Sequence, residues 1–177
     1  MTQNLDWDAS TGRVRGVNEV AQADRVLPQR LVFDFAPTAR PIETVRFRNV
    51  SSGKCLLPYG GSLNDGAQVV QWDCNGTSAQ NWYWDGSRIR NFQSDRCLTV
   101  YGGSTANGAE MTQWRCNGSH AQDWSRATGT AGGSLLVNGG SNLCLTTYGG
   151  SSSNGAVSEQ WSCQADNAAH NWTGASA

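Results

Sequence analysis

The chain has 177 residues, of which 15% are charged, and its formal net charge is -1. This near-neutral balance argues against nucleic acid as a partner, because phosphate binding requires a basic face. The 21 glycines argue against a helical bundle, since each costs roughly 1 kcal/mol relative to alanine inside a helix. No apolar run approaches the ~20 residues that span a bilayer, so no membrane span is predicted. The length fits one domain with a short extension.

The first 44 residues form an N-terminal extension or linker that lies outside the pattern of the remaining chain. Residues 4–24 are polar with balanced charges and are predicted to be extended or weakly ordered. Residues 30–35 favour a strand, which ends at the following Ala-Pro. The sequence leaves three arrangements open: the segment packs beside the next domain, joins the sheet of a partner, or forms the tail of an upstream domain.

Three segments within residues 45–177 repeat one pattern. Each contains Cys-Leu, then Tyr-Gly-Gly-Ser, an Asp-Gly or Asn-Gly dipeptide, Gln-Trp-x-Cys and a final tryptophan. The repeats cover about 45–84, 88–126 and 134–173. The third repeat is displaced further along the chain than the second, mostly by a glycine-rich stretch that is predicted to be a loop.

Each repeat predicts four short strands. Residues 45–50 alternate apolar and polar side chains, which is typical of a half-buried strand, and comparable runs lie at 88–92 and 134–137. The Cys-Leu segment, the run into Gln-Trp-x-Cys and the residues around the final tryptophan supply the other three strands. The Asp-Gly and Asn-Gly dipeptides accept the positive φ of a tight turn. Twelve strands in three units that cannot bury a face alone predict an all-β fold, a β-trefoil with pseudo-threefold symmetry.

The six cysteines fall into three pairs with the same spacing of 19 positions. This regularity selects one local disulfide per repeat among the possible pairings: Cys55 with Cys74, Cys97 with Cys116, and Cys144 with Cys163. Six reduced thiols in a cytosolic protein are the alternative, but evenly spaced pairs in a glycine-rich β chain indicate an oxidising, extracellular compartment. The first residues lack both the basic start and the apolar stretch of an export signal. We therefore expect that such a signal was removed or that the chain is part of a larger secreted protein.

The threefold occurrence of Cys-Leu, Gln-Trp-x-Cys and Gln-x-Trp, over roughly 45–172, resembles the ricin-B-type lectins and the bacterial carbohydrate-binding modules of the same fold. The resemblance implies a β-trefoil whose final tryptophans pack in the shared core: Trp82, Trp124 and Trp172. It also implies a non-catalytic, lectin-like protein with one shallow pocket per repeat for galactose-like sugars. In such a pocket an aromatic ring stacks on the sugar while polar side chains bind its hydroxyls.

The resemblance places the stacking ring two positions before the second cysteine of each repeat: Trp72, Trp114 and Trp161. These indoles either bind a ligand or only cover the hydrophobic surface of their repeat. A tyrosine near each pocket mouth opens the Tyr-Gly-Gly-Ser loop, where it either contacts a ligand or anchors the loop: Tyr59, Tyr101 and Tyr148.

The polar partners of a galactose pocket are largely replaced in this chain. The aspartate that follows Cys-Leu in the family is replaced by Leu57, Thr99 and Thr146. The asparagine before the final glutamine is replaced by Ala79, Ala121 and Ala169. The polar residue two positions before the stacking tryptophan is replaced by Val70 and Thr112, and only the third repeat has an ionisable side chain there, Glu159. The resemblance therefore implies degenerate galactose-type pockets.

We predict that the third repeat holds the best pocket. There Glu159, Trp161 and His170 are predicted to converge, and Thr146 and Tyr148 are further candidates for contact with the ligand. The second repeat follows, with Thr99, Tyr101, Thr112, Trp114 and Gln122. The first repeat is the weakest, with Tyr59, Trp72 and Gln80.

Catalysis is not predicted, because neither histidine has a nucleophile or a carboxylate at the spacing of a catalytic motif. With all six cysteines oxidised, no thiolate metal site is expected, and no cofactor is implied.

Two functions stay open. The chain is a secreted module that binds a glycan or polysaccharide of galactose or xylose type, which the three tryptophans favour. Alternatively, it is the receptor- or partner-binding part of a multi-component toxin or enzyme, connected through the N-terminal extension, which the missing aspartates favour.

Overall fold

Three short strands of the extension pair with one another in the computed structural model of the chain. They are β1 (Asn4–Asp8), β2 (Arg13–Val17) and β3 (Leu31–Val32), which form an antiparallel sheet in that order. The β1–β2 register pairs Asp6 with Arg15 and Asp8 with Arg13. Two strands thus lie in the segment predicted to be extended or weakly ordered. Of the strand predicted at 30–35, the two residues of β3 are paired and the others lie outside the described residues.

The structure describes these three strands and residues 42–176. The chain divides into two units, Met1–Pro41 and Ile42–Ala177. The second unit contains the three repeats, and the description that follows concerns it alone.

Twelve strands follow in the second unit, four in each repeat, as predicted. Repeat 1 contains β4 (Val45–Asn49), β5 (Cys55–Pro58), β6 (Val69–Trp72) and β7 (Trp82–Asp85). Repeat 2 contains β8 (Arg88–Asn91), β9 (Cys97–Val100), β10 (Met111–Trp114) and β11 (Trp124–Thr128). Repeat 3 contains β12 (Ser134–Asn138), β13 (Cys144–Thr147), β14 (Ser158–Trp161) and β15 (Trp172–Ser176). The glycine-rich stretch predicted to be a loop separates β11 from β12.

Six of these strands close into a barrel. β4 pairs with β7 and β15, β7 pairs with β8, and β12 pairs with β11 and β15. A bridge between Arg88 and Asp123 joins the remaining neighbours, and the Trp124 N–H donates to the Ser87 carbonyl over 2.7 Å. The other six strands form three hairpins, β5–β6, β9–β10 and β13–β14. The second strands of these hairpins contact one another through three bridges, so the hairpins complete a β-trefoil.

The final tryptophan of each repeat lies in the core, as the sequence predicts. The exposed fraction of all three is 3% or less. Each indole N–H donates over 2.9–3.0 Å to the backbone carbonyl of the leucine that follows the first cysteine of its own repeat. Each ring therefore ties its last strand to its own hairpin with a satisfied polar atom. The rings share one cluster with the main apolar side chains, among them Phe47, Leu56, Ile89, Leu98, Met111, Leu136 and Leu145.

One disulfide closes each hairpin, and the predicted pairing is confirmed. The first cysteine begins the first strand of the hairpin, and the second cysteine lies two residues after the second strand. The Cα atoms of the three pairs are 5.0–5.2 Å apart. Each bond thus holds the base of a hairpin beside the barrel.

Three buried glutamines from the Gln-Trp-x-Cys motifs join neighbouring repeats: Gln71, Gln113 and Gln160. In repeat 2, Gln113 Nε2 donates to the carbonyls of Ser62 and Asn64 over 2.7 and 3.1 Å, and its Oε1 accepts from the Ser94 hydroxyl over 2.6 Å. The other two glutamines make the corresponding bonds. The hairpin loop of one repeat is therefore held against the next repeat all round the ring.

Candidate functional site

The three predicted stacking tryptophans end β6, β10 and β14 and remain partly exposed. Their exposed fractions are 39% for Trp72 and 41% for both Trp114 and Trp161. Each ring packs on the glycine of the Asp-Gly or Asn-Gly turn of a neighbouring repeat, where a methyl group would lie 3.2–3.6 Å from the indole Cζ3 atom. Those glycines have φ of +79° to +80°, which residues with a side chain adopt at a cost. Each indole is thus supported by another repeat and still faces outward.

The three tyrosines of the Tyr-Gly-Gly-Ser loops are also exposed, by 60% to 69%. Each opens a short 3-10 turn whose first glycine has a positive φ. The second glycine approaches the Cβ atom of Ala79, Ala121 or Ala169, the alanines before the Gln-x-Trp glutamine or its histidine counterpart. The loop backbone therefore packs on the repeat while the phenol rings stay accessible.

A cavity of about 400 Å³ opens in repeat 2 between the Tyr-Gly-Gly turn and β10. Its lining includes all five residues predicted for the second pocket: Thr99, Tyr101, Thr112, Trp114 and Gln122. The structure thus assembles, in one concave site, an exposed indole, an exposed phenol and two threonines.

The two threonines of this cavity differ in their hydrogen bonding. The Thr99 hydroxyl donates to the backbone carbonyls of Val100 and Ala121, each over 3.4 Å. Thr112 is 4% exposed, and its buried Oγ1 has no hydrogen-bond partner in the described part of the chain. A buried hydroxyl without a partner is unfavourable, and Thr112 is one of the residues that line the cavity.

The floor of the site changes from repeat to repeat. In repeat 1 it is an apolar cluster of Leu57, Val70 and Ala79. The corresponding residues are Thr99, Thr112 and Ala121 in repeat 2, and Thr146, Glu159 and Ala169 in repeat 3. The three sites are thus apolar, neutral polar and acidic.

Glu159 brings a buried carboxyl group into repeat 3, where its exposed fraction is only 6%. Burial raises the pKa of this carboxyl, a backbone hydrogen bond from Gly149 lowers it, and the nearby Glu110 carboxylate raises it. Glu110 lies opposite Glu159 in a bridge between the hairpins of repeats 2 and 3. Gln68 Nε2 donates to Glu110 Oε2 over 2.9 Å.

The glutamines of the Gln-x-Trp motifs support the fold. Gln80 is fully buried; its Oε1 accepts from the N–H of Asn75 over 2.8 Å, and its Nε2 donates to the Asp73 carbonyl over 2.8 Å. Gln122 makes the same two bonds in repeat 2. The prediction that Gln80 contacts a ligand is corrected by this arrangement, because its amide already holds the loop after the second cysteine. Gln122 lines the cavity with its amide engaged in the same way.

His170 occupies the position of these glutamines in repeat 3. Its ring is 4% exposed, burial lowers its pKa, and Nδ1 has no hydrogen-bond partner within residues 42–176. One more residue separates it from the preceding cysteine than in the other repeats. His170 forms no hydrogen bond or ion pair with Glu159 or Trp161 in the described region, and the convergence of the three on one pocket stays a prediction.

Thr146, also predicted for this pocket, is buried and donates its hydroxyl to the Ala169 carbonyl over 3.1 Å. Of the residues predicted for the third pocket, Trp161 and Tyr148 are the exposed ones.

Other kinds of site are missing from the described residues. No cluster of three or more His, Cys, Asp or Glu side chains that could hold a metal is present there, and every cysteine of that part is in a disulfide. No helix in it is long and apolar enough to cross a membrane.

Comparison with known proteins gives one family and many similar folds. The sequence profile of the ricin-type beta-trefoil lectin domain matches residues 43–172. The designed threefold-symmetric protein ThreeFoil is 26% identical, with a TM-score of 0.70, over 74% of this chain and 96% of that one. The exo-beta-1,3-galactanase 1,3Gal43A from Clostridium thermocellum is 23% identical, with a TM-score of 0.71, over 97% of this chain and 41% of that one.

The C-half of the earthworm R-type lectin, solved with GalNAc, is 15% identical, with a TM-score of 0.65, over 76% of this chain and 99% of that one. A comparison with curated protein sequences found no match.

Proposed function

Because the chain belongs to the ricin-type β-trefoil lectin domain family, we propose that it is a non-catalytic module that binds neutral saccharides, with repeat 2 as its principal site. The observation that carries this proposal is the cavity of repeat 2, which is lined by an exposed indole and by a buried hydroxyl without a partner. The earthworm lectin solved with GalNAc supports a sugar of galactose type.

The chemistry of this cavity suits an uncharged sugar ring. The Trp114 indole offers a flat apolar face for the C–H groups of the sugar, and Thr112 and Tyr101 offer hydroxyl groups to its polar edge. No carboxylate lines the cavity, so charge-assisted hydrogen bonds are missing and the affinity of one site is modest. Galactose- and xylose-type saccharides remain the candidates, and a polysaccharide that reaches several sites gains by avidity.

The order of the pockets follows from their floors. Repeat 2 comes first because its cavity unites all five predicted residues, although the sequence favoured repeat 3. Repeat 1 comes last, because its floor of Leu57, Val70 and Ala79 offers no hydrogen bond to a sugar hydroxyl.

We also propose an extracellular protein that acts together with another component. The three disulfides favour an oxidising compartment. The alignment with the galactanase spans nearly the whole of this chain but less than half of that enzyme, which favours a module attached to an enzyme through residues 1–44. Binding a receptor for a toxin component is the alternative use of the same fold.

Replacement of Trp114 by alanine tests the principal site. The Trp114→Ala protein should bind galactose, lactose or xylo-oligosaccharides at least about tenfold more weakly, because the stacking surface is lost. Isothermal titration calorimetry measures the affinity. Trp72→Ala is the matched control, since it removes an equally exposed indole over an apolar floor, and it should change the affinity by no more than about twofold.

Two results would contradict the proposal. Equal losses from the two variants would refute the order of the pockets. No heat of binding for the unmodified protein at millimolar saccharide would remove the lectin function.

A further inference from the structure

Repeat 3 has a group that the other two sites lack, the carboxyl of Glu159. It stands where repeat 2 has Thr112, one of the residues that line the cavity. Glu159 and Trp161 are two residues apart on β14, so their side chains project from the same face of the strand. The acidic group therefore belongs to the same face as the exposed indole.

Gly108, from the Asn-Gly turn of repeat 2, shows how close the two groups are. A methyl group at this glycine would lie 3.6 Å from Trp161 Cζ3 and 3.9 Å from Glu159 Oε2. The Trp161 indole and the Glu159 carboxylate thus lie close together beside Gly108. The exposed Tyr148 ring begins the loop that contains Gly149, whose backbone lowers the pKa of the Glu159 carboxyl.

The charge of this carboxylate is not balanced by the protein. Within residues 42–176, Glu159 has no ion pair with lysine, arginine or histidine, and the nearby charged group is a second carboxylate, Glu110. A buried carboxylate without a cation is unfavourable, and a positively charged ligand would relieve that cost.

Resting on the proposed saccharide-binding function, we infer that repeat 3 binds an amino sugar through its protonated amine, as presented by a glucosamine or galactosamine unit of a deacetylated polysaccharide. The ring of the sugar stacks on Trp161 while the ammonium group donates a charge-assisted hydrogen bond to Glu159. N-acetylation removes the positive charge and adds an acetyl group facing the carboxylate. The site therefore prefers the free amine to the N-acetylated sugar.

The test titrates oligosaccharides of glucosamine and galactosamine, and their N-acetylated counterparts, into the whole protein by calorimetry. The unmodified protein should prefer the free amine by about tenfold or more, and Glu159→Gln should remove that preference because the amide carries no charge. Glu110→Gln is the matched control: it neutralises the exposed carboxylate beside the site and should retain most of the preference. Thr112→Glu should confer a preference for the free amine on repeat 2.

The outcomes separate this inference from the proposed function. If neutral saccharides bind and Trp114→Ala weakens them, while Glu159→Gln leaves the amine preference unchanged, the inference alone is wrong. If no saccharide binds, the proposed function is wrong. If oligolysine bound as tightly, per amine group, as the amino-sugar oligosaccharides, repeat 3 would be a site for any cation, and the assignment of an amino sugar would be wrong. Thermal unfolding shows whether Glu159→Gln keeps the fold. If Glu159→Gln is unstable, the preference of Thr112→Glu for the free amine tests the inference independently.

Discussion

Single positions in the three repeats have the same backbone setting and very different side-chain chemistry. At the glutamine of Gln-x-Trp, two repeats use an amide that binds the following loop at both ends, whereas the third has His170. An imidazole in this setting is buried and leaves Nδ1 without a partner in the described region. A substitution in one repeat can therefore change the protein's response to pH while the fold stays the same.

His170 should make the protein less stable in mild acid. Burial lowers the pKa of its imidazole in the folded state below the ordinary value of 6.5. Above that value the histidine is neutral in both states; as the pH falls below it, the unfolded chain binds a proton first and the free energy of unfolding decreases until the folded pKa is passed. Urea unfolding at pH 7.5 and at pH 5 should show a smaller decrease for His170→Gln than for the unmodified protein.

The comparison of these two proteins isolates His170, because the other titrating groups contribute equally to both. Parallel decreases would show that His170 has no part in the acid response.

The disulfide-closed hairpin is the element that the sequence predicted best. The spacing of 19 between paired cysteines was enough to choose the pairing, because identical loops at identical places in three repeats leave one local solution. The Asp-Gly and Asn-Gly turns were equally clear, since their glycines need positive φ. The role of Gln80 was missed, because a glutamine in a sequence can equally be a buried amide that holds a loop or an exposed amide that binds a sugar.

Removal of one disulfide should destabilise the trefoil substantially. The chain-entropy estimate for a loop of this length is about 3 kcal/mol, so the Cys97→Ala, Cys116→Ala protein should lose about that much free energy of unfolding. Guanidinium unfolding measures the loss. The equivalent double variant at Cys55 and Cys74 opens a loop of equal length and should lose a similar amount. A large difference between the two variants would mean that contacts of the individual hairpins, and not loop length, decide the effect.

In the whole molecule the repeats are joined through polar contacts as well as through the shared core. A buried glutamine from each hairpin binds the loop of a neighbour, so three equivalent joints close the ring. The sequence motif did not reveal the role of these glutamines, because contacts between repeats join residues that are far apart in the chain. The cavity of repeat 2 lies within one repeat, but its concave shape depends on how the Tyr-Gly-Gly turn packs beside β10, which the residue pattern does not reveal.

Gln113→Leu should break the hydrogen bonds of one of these contacts between repeats. The substitution keeps the size of the side chain but removes three hydrogen bonds, to Ser62, Asn64 and Ser94. We expect the free energy of unfolding to fall by about 2–4 kcal/mol, because the partners lose their bonds and some stay buried. Gln164→Leu, an exposed glutamine outside the joints, should change it by less than about 0.5 kcal/mol in the same denaturant titration. Similar values for both would mean that the joint contributes little.

The support of each exposed indole by another repeat bears on how such a molecule can be rearranged. Val45 and Ser176 are opposite one another in the barrel, so the start and the end of the repeat region are adjacent in space. A circular permutant that joined these ends and opened the chain at the turn between β7 and β8 would keep every indole on its glycine. Excision of one repeat would instead leave one indole without its glycine and one glycine without its indole. The repeat at which the chain begins can thus change, but the number of repeats cannot.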